Sequence, residues 1–260
     1  MPTHDARRDQ QLRRPKREAG CLAVLGLMLL AASAPQARGE EAPEAGFVAL
    51  FDGSSLKGWD GNPELWSVVD GVIRGKTSAD APIKQNTFLI WGGRADDFVL
   101  RLEFRVADWG IGNSGVQYRS KRFTDAGRWV IGGYQADIER TNTHMGILYE
   151  ERGRGILAKR GQAVELMPGG KRSKKRVAGS VGDPSEIVEG VRAGEWQTLE
   201  VIARGRSLEH KLNGRTTIKV TDNDEANAAK SGLIGLQLHR GPPMQIDFRN
   251  IRLKEAPRGE

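Results

Sequence analysis

The chain has 260 residues, a formal net charge of +7 at pH 7, 38% hydrophobic residues and a single cysteine. One cysteine excludes a disulfide framework, and the length suits one single-core domain. Removing residues 1–39 would take away seven basic and three acidic residues. The remaining net charge of +3 weakens any interpretation as a nucleic-acid-binding protein.

The first 39 residues have the order of a secretory signal peptide. Basic residues are frequent over 1–20, an apolar run occupies 21–34, and small residues lie near Ala37 and Gly39. The apolar run is too short for a stable membrane-spanning helix, so no transmembrane segment is expected in the mature chain. We predict a signal peptide over 1–39, a linker over 40–45 and an exported protein, periplasmic or extracellular. The export route, Sec or twin-arginine, stays open.

From Gly46 onward, short strand-like runs are separated by turn residues at the spacing of a β-sandwich or barrel. Asp70-Gly71 is a two-residue hairpin signal. Asp222 or Asn223 could cap one or two helical turns over 222–230. The predicted strands cover 47–51, 65–69, 72–76, 98–107, 196–203, 208–220, 232–239 and 244–254. The sequence therefore predicts one all-β domain over 46–255 and a tail over 256–260.

Residues 168–189 lack a strand pattern and carry a basic run over 171–176. We predict a solvated basic loop here, and expect that removing 169–178 leaves folding and activity nearly intact. Recruitment of an anionic polymer by the basic run is a weaker alternative, given the modest charge of the mature chain.

Three segments repeat one short pattern, at 115–119, 133–137 and 235–239. Each has a glycine, then a glutamine two residues later, then an ionisable residue: Arg119, Asp137 or His239. Because alternate residues of a strand share a face, each segment places this set on one side and apolar residues on the other. Glycine inside a strand often marks close approach by a ligand. If the strands are neighbours, their shared face is a floor with room for a polar ligand such as a sugar.

Carboxylates are the candidates for proton transfer. Asp137 lies on the shared face, and Glu150 precedes Arg152 in a polar turn. A carboxylate beside an arginine stays ionised and can act as a base, whereas apolar surroundings favour an acid. Glu150 has the strand parity of Leu148, and Glu151 falls on the opposite face. A surface salt bridge is the alternative interpretation for either glutamate.

Aromatic rings can stack on the apolar face of a sugar, and Trp109 and Trp129 precede two of the repeated segments. We expect these two tryptophans at the cleft. The histidines after residue 39 are His144, His210 and His239, and none of them are paired at metal-ligand spacing. We therefore expect neither a metal nor a cofactor.

Five blocks between residues 46 and 254 carry a family resemblance. They are Phe47-Val-Ala-Leu-Phe-Asp52-Gly53 with Gly58-Trp59, Asn113-Ser-Gly-Val-Gln117-Tyr-Arg-Ser120, Gly132-Gly-Tyr-Gln135-Ala-Asp137-Ile, Gly146-Ile-Leu-Tyr149-Glu150-Glu-Arg152-Gly-Arg-Gly155 and Leu236-Gln237-Leu-His239-Arg-Gly-Pro-Pro243. In this order they resemble the 3-keto-disaccharide hydrolase family. The resemblance implies a concanavalin A-like jelly roll of two curved antiparallel sheets, with the sugar site on the concave sheet.

The resemblance also implies cleavage of glycosides already oxidised at the sugar C3. A ketone at C3 acidifies the C2 proton, so proton abstraction, elimination and hydration amount to net hydrolysis. The residues available for acid and base roles are Asp137, Glu150 and His239, and the sequence does not divide these roles among them. The expected substrate-binding residues are Asn113, Gln117, Arg119, Trp129, Gln135, Arg152 and Gln237.

The main alternative is a non-catalytic carbohydrate-binding β-sandwich, whose cleft would need no carboxylate together with an imidazole. An ordinary endo-glucanase of this fold is disfavoured, because no Glu-x-Asp-x-x-Glu strand occurs. The expected partners are a 3-keto-glycoside substrate and an upstream sugar 3-dehydrogenase that would produce it. No nucleic-acid partner is expected.

Overall fold

The structure is a computed structural model that describes residues 44–110 and 112–256. The predicted signal peptide, most of the predicted linker and the tail from residue 257 onward lie outside these residues. In the described ranges, no helix has the length and apolar composition of a membrane span. The only helix in these ranges is α1 (Pro184–Ile187).

Two β-sheets make up the fold. The larger sheet has ten strands: β1 (Val48–Ala49), β3 (Trp66–Val69), β4 (Val72–Lys76), β6 (Phe98–Val106), β11 (Gln162–Met167), β12 (Lys174–Ser180), β13 (Gln197–Arg204), β14 (Ser207–Leu212), β15 (Arg215–Asp222) and β17 (Gln245–Glu255). The smaller sheet has seven: β2 (Trp59–Asp60), β5 (Thr87–Trp91), β7 (Asn113–Arg122), β8 (Ile131–Glu139), β9 (Leu148–Glu150), β10 (Gly155–Ala158) and β16 (Leu233–Leu238).

Strand order shows the crossing between sheets that is typical of a jelly roll. The larger sheet runs β12-β11-β15-β14-β13-β6-β17-β4-β3, with β1 paired to β17, and the smaller runs β10-β9-β8-β7-β16-β5-β2. Pairing is antiparallel except between β11 and β15. The all-β jelly-roll prediction is confirmed.

The core lies between the sheets and follows from the two-residue alternation of each strand. Along β6, buried residues alternate with partly exposed ones. Leu100, Leu102 and Phe104 from β6 belong to the same buried cluster as Tyr118 of β7 and Tyr134 of β8. The inner face of the smaller sheet therefore packs in the core, and its outer face does not take part in this packing.

Two local predictions are wrong. Residues 222–230 hold a single turn over 225–227, in which the N–H groups of Asn227 and Ala228 donate to the carbonyl oxygen of Asp224, and Asp222 belongs to strand β15 instead of capping a helix. The segment 168–189 is largely exposed as expected, apart from Ser173 and Ile187, but it contains the edge strand β12, which pairs with β11 over 174–180. Basic side chains on an edge strand discourage pairing with other chains, which accounts for a polar sequence in a strand. Removing 169–178 would delete much of this strand, so we no longer expect that change to be harmless.

A buried ion network joins the two sheets at one end. The guanidinium of Arg154 donates to Glu150 Oε2 at 2.7 Å and to Asp222 Oδ2 at 2.7 Å, and all three side chains are at least nine-tenths buried. Tyr134 donates its hydroxyl hydrogen to Asp222 Oδ2 at 2.5 Å, and Arg154 also reaches Ser173 Oγ at 2.9 Å. Each buried charge thus has charged or polar partners, as burial requires.

We predict that Arg154→Met lowers the free energy of unfolding by about 3–5 kcal/mol, because it leaves two buried carboxylates without their cation. Urea denaturation followed by tryptophan fluorescence measures this loss. The matched control is Arg176→Met, which breaks the exposed pair with Glu165 and should cost less than about 1 kcal/mol. Equal losses in the two variants would contradict a stabilising role for the buried network.

Candidate active site

The three repeated segments lie on adjacent strands, β8, β7 and β16. In the register of these strands, Gln117 lies opposite Gln135 and also opposite Gly235, and Gly115 lies opposite Asp137. The outer face of this triplet, together with flanking loops, bounds a cavity of about 400 Å³, within the range of ligand sites. Its lining is Gln85, Asn86, Asn113, Gln135, Asp137, His144, Ile147, Tyr149, Glu151, Arg152, Ile156, Gln237, His239 and Arg240.

A chain of side-chain amides forms the cavity floor. Gln135 Oε1 accepts hydrogen bonds from Gln117 Nε2 at 2.7 Å and from Gln237 Nε2 at 3.0 Å. Ser120 Oγ donates to Gln117 Oε1 at 2.7 Å, which fixes the orientation of that amide. Because two donors hold the oxygen of Gln135, its Nε2 must point the other way, and it donates to Asp137 Oδ1 at 2.5 Å. When Asp137 is protonated, its proton therefore lies on Oδ2.

Asp137 is a carboxyl group that exchanges its proton near neutral pH. Its burial raises its pKa from 3.8 to about 7. The hydrogen bond from Gln135 acts in the opposite direction, and the charges of Glu151 and Glu139 add to the increase. A carboxyl group with this pKa in a cavity can act as a general acid or base.

Six of the predicted site residues line the cavity: Asn113, Gln135, Asp137, Arg152, Gln237 and His239. Gln117 is fully buried beneath it, within the amide chain. His239 follows the last residue of β16, and its Nδ1 lies 2.5 Å from the carbonyl oxygen of Arg240. Since a carbonyl only accepts, Nδ1 carries the hydrogen, and Nε2 of the neutral ring is an acceptor.

Glu150 does not belong to the cavity, which corrects its predicted catalytic role. It lies opposite Tyr134 in the β8–β9 register, so its side chain faces the core and pairs with Arg154. The next residue, Glu151, lines the cavity instead. Strand parity already separated the two glutamates, but the choice between them required knowing which face of β9 is buried.

Arg119 and Trp129 also lie elsewhere. An irregularity in the β7–β8 pairing falls between Tyr118 and Lys121, and Arg119 adopts a left-handed φ of 47°. This bulge turns the Arg119 side chain away from the outer face of the three strands. The guanidinium instead donates to the carbonyl oxygens of Asp96 and Gly205, each at 2.8 Å. The indole of Trp129 donates to Asp60 Oδ1 at 2.9 Å, and the ring is not part of the cavity wall.

The glycines of the repeated pattern make room for protein atoms, not for a ligand. A Cβ on Gly115 would lie 2.5 Å from Cδ of Gln135, and one on Gly133 would lie 2.8 Å from Cα of Ser120. Neither glycine lines the cavity. Gly115 therefore allows the Gln135 amide to lie flat across β7, and the sequence-based explanation of a space above the glycines is wrong.

Eight of the fourteen lining residues were not predicted as site residues, among them Glu151, Tyr149 and Asn86. Glu151 Oε2 accepts from Asn86 Nδ2 at 3.0 Å and lies 3.5 Å from Gln237 Nε2. Tyr149 lies opposite Gln135, and burial, with the charges of Glu151 and Asp137, raises its pKa. Tyr149 has the same strand parity as Glu151, which could have indicated it, whereas Asn86 directly precedes β5 and carries no local signal. Among the described residues, no group of three or more His, Cys, Asp or Glu side chains is arranged to hold a metal ion.

The fold and the cavity define a β-sandwich with a polar, carboxylate-lined pocket, and comparison with known proteins places it in a family. Residues 46–254 match the model described as a 3-keto-alpha-glucoside-1,2-lyase-like domain. The chain thus belongs to the 3-keto-disaccharide hydrolase family, which confirms the resemblance. A 3-keto-disaccharide hydrolase of Bacteroides thetaiotaomicron is 30% identical over 86 residues, which cover 30% of this chain and 29% of that protein.

Solved structures share the fold. A candidate glycosyl hydrolase of Parabacteroides distasonis ATCC 8503 superposes with a TM-score of 0.54 and 22% identity, covering 81% of this chain and 99% of the other. A second candidate glycosyl hydrolase of that organism gives a TM-score of 0.52 at 17% identity, covering 81% and 94%. At these identities the likeness concerns the architecture alone.

The buried carboxyl of Asp137 makes stability depend on pH. Between pH 3.8 and about 7 the folded protein holds a proton that the unfolded chain has lost. Its contribution is therefore most favourable at about pH 4 or below, and stability declines as the pH rises toward 7. We predict that Asp137→Asn raises the free energy of unfolding over wild type by roughly 2–4 kcal/mol at pH 8 and changes it little at pH 4.

Urea denaturation of both proteins at the two pH values tests this expectation. Asp80→Asn, at an exposed position, is the matched control and should leave the difference between pH 4 and pH 8 as in wild type. A stability gain from Asp137→Asn that is the same at both pH values would contradict a buried carboxyl with a raised pKa.

Proposed function

We propose that this protein is an exported enzyme that cleaves 3-keto-glycosides by removing the C2 proton, expelling the C1 substituent and adding water. The observation that carries this proposal is Asp137, a carboxyl with a pKa of about 7 in the same cavity as Glu151 and the imidazole of His239. Family membership supports a glycoside substrate. Export is supported by the basic and apolar order of residues 1–39.

The chemistry needs an acid, a base and donors for an oxyanion. Loss of the C2 proton places negative charge on the C3 oxygen, where hydrogen-bond donors stabilise the enolate. Protonation of the glycosidic oxygen lets the C1–O bond break and leaves a C1=C2 double bond conjugated with the ketone. Water then adds at C1, and a proton returns to C2, so the net reaction is hydrolysis.

The cavity supplies suitable groups for each requirement. Asp137 holds a proton at Oδ2 near neutral pH and can donate it to the leaving oxygen. Arg152, Asn113 and Asn86 line the same wall and offer N–H donors for hydroxyl and enolate oxygens. Gln237 Oε1 lies buried beside this cavity and has no hydrogen-bond partner among the described residues.

We expect Asp137→Asn to lower kcat on a 3-keto-glucoside by about a hundredfold or more, because it removes a proton-transfer group. Binding should change little, because the asparagine carbonyl can still accept from Gln135. Steady-state kinetics and calorimetric titration with the same glycoside separate the two effects, with Asp80→Asn as control. If wild type binds 3-keto-glucosides but cleaves none of a panel of linkages and aglycones, the protein is a non-catalytic carbohydrate-binding sandwich instead.

A further inference from the structure

One chain of amides connects two carboxylates in the cavity. Asp137 Oδ1 accepts from Gln135 Nε2 at 2.5 Å, and Gln135 Oε1 accepts from Gln237 Nε2 at 3.0 Å. The same Gln237 Nε2 lies 3.5 Å from Glu151 Oε2, which also accepts from Asn86 Nδ2 at 3.0 Å. Both carboxylates thus contact the same amide chain, Asp137 at 2.5 Å and Glu151 at 3.5 Å.

The electrostatic environments of these carboxylates differ. Asp137 is buried whereas Glu151 is only partly buried, and after burial itself the charge of Glu151 is one of the causes that raise the pKa of Asp137. Two carboxyl groups placed in one cavity with different degrees of burial are a common arrangement for an acid and a base. An elimination across C1 and C2 needs these groups close together, because they act on adjacent carbons of one ring.

We propose that Glu151 is the catalytic base that removes the C2 proton, while Asp137 protonates the glycosidic oxygen. This assignment rests on the proposed function. The electrons of the C2–H bond form the C1=C2 bond, the C1–O bond breaks, and the leaving oxygen takes the proton of Asp137. In hydration, the oxygen of a water molecule bonds to C1 while the Asp137 carboxylate takes a proton from that water. Glu151 then returns its proton to C2. Both residues end in their starting states, and no other reactant is required.

His239 is the competing candidate for the base, since Nε2 of its neutral ring is an acceptor. Its ring, however, lies beyond the end of β16 and is bonded to a neighbouring backbone carbonyl. Within the described part of the chain, no hydrogen bond joins this ring to the amide chain between Asp137 and Glu151. Its position suits a donor or acceptor at the cavity rim.

Hydrogen exchange at C2 separates the base from the acid. The probe is 1,5-anhydro-3-keto-glucitol, which has no exocyclic leaving group at C1, incubated in D₂O and followed by proton NMR. The C4 proton is also next to the ketone and reports exchange that the enzyme does not direct. We expect wild type, Asp137→Asn and His239→Gln to exchange C2 selectively, and Glu151→Gln to slow this exchange by about a hundredfold or more.

The other variants make the assignment specific. Glu151→Asp keeps the charge and should retain partial C2 exchange, whereas Glu64→Gln, at an exposed position, should match wild type. On a cleavable 3-keto-glucoside, both Glu151→Gln and Asp137→Asn should lose turnover, although only the former loses exchange. Cooperative unfolding transitions with midpoints at or above that of wild type show that the variants are folded.

Two failures can be distinguished. If wild type cleaves 3-keto-glucosides but Glu151→Gln still exchanges C2, or if His239→Gln abolishes the exchange, the assignment of Glu151 is wrong and the proposed function stands. If wild type neither cleaves 3-keto-glucosides nor exchanges the probe, the proposed function itself is wrong.

Discussion

The register between β7 and β8 is the constraint on which the site depends. It sets Gln117 opposite Gln135 and Gly115 opposite Asp137, so the amide of one strand can donate across to the other. Since side chains alternate, a slip of one residue would send these polar groups into the core and bring Tyr118 and Tyr134 to the surface. Burial of the two tyrosine rings between the sheets, each with its hydroxyl hydrogen-bonded, therefore specifies the polar floor on the opposite face.

The floor is built at some cost to stability. Three fully or nearly buried glutamines and a buried aspartate occupy positions where apolar side chains would be buried without a desolvation penalty. Their desolvation is offset because nearly every polar atom has a partner, with Gln237 Oε1 as an exception among the described residues. The arrangement leaves Asp137 where burial disfavours its charge, and that disfavoured charge makes its proton transferable near pH 7. The burial of Asp137 thus lowers stability at neutral pH and also provides the group for proton transfer.

Much of the fold follows from local patterns, but side-chain direction at irregular positions does not. Alternation along 98–107 and the Asp70-Gly71 turn gave strands close to β6, β3 and β4, because each depends on neighbours in sequence. The repeated glycine–glutamine segments correctly indicated three adjacent strands sharing a face. The side-chain direction of Arg119 could not be predicted from alternation, because a bulge reverses it and the bulge depends on pairing with the partner strand. Strand β12 was missed because its pairing with β11, not its composition, makes it a strand.

Glu150 and Glu151 show how neighbouring residues of one type divide structural and chemical roles. Glu150 points inward and is held by Arg154 through its guanidinium and its backbone N–H, each 2.7 Å from Oε2. This contact closes the turn after β9, the segment from which Glu151 projects into the cavity. A variant of Glu150 would therefore disturb the position of Glu151 and lower activity without Glu150 touching a substrate. Loss of activity alone cannot identify the base in this turn. A measurement of proton transfer at C2 together with stability can, because a structural defect lowers both and a missing base lowers only the first.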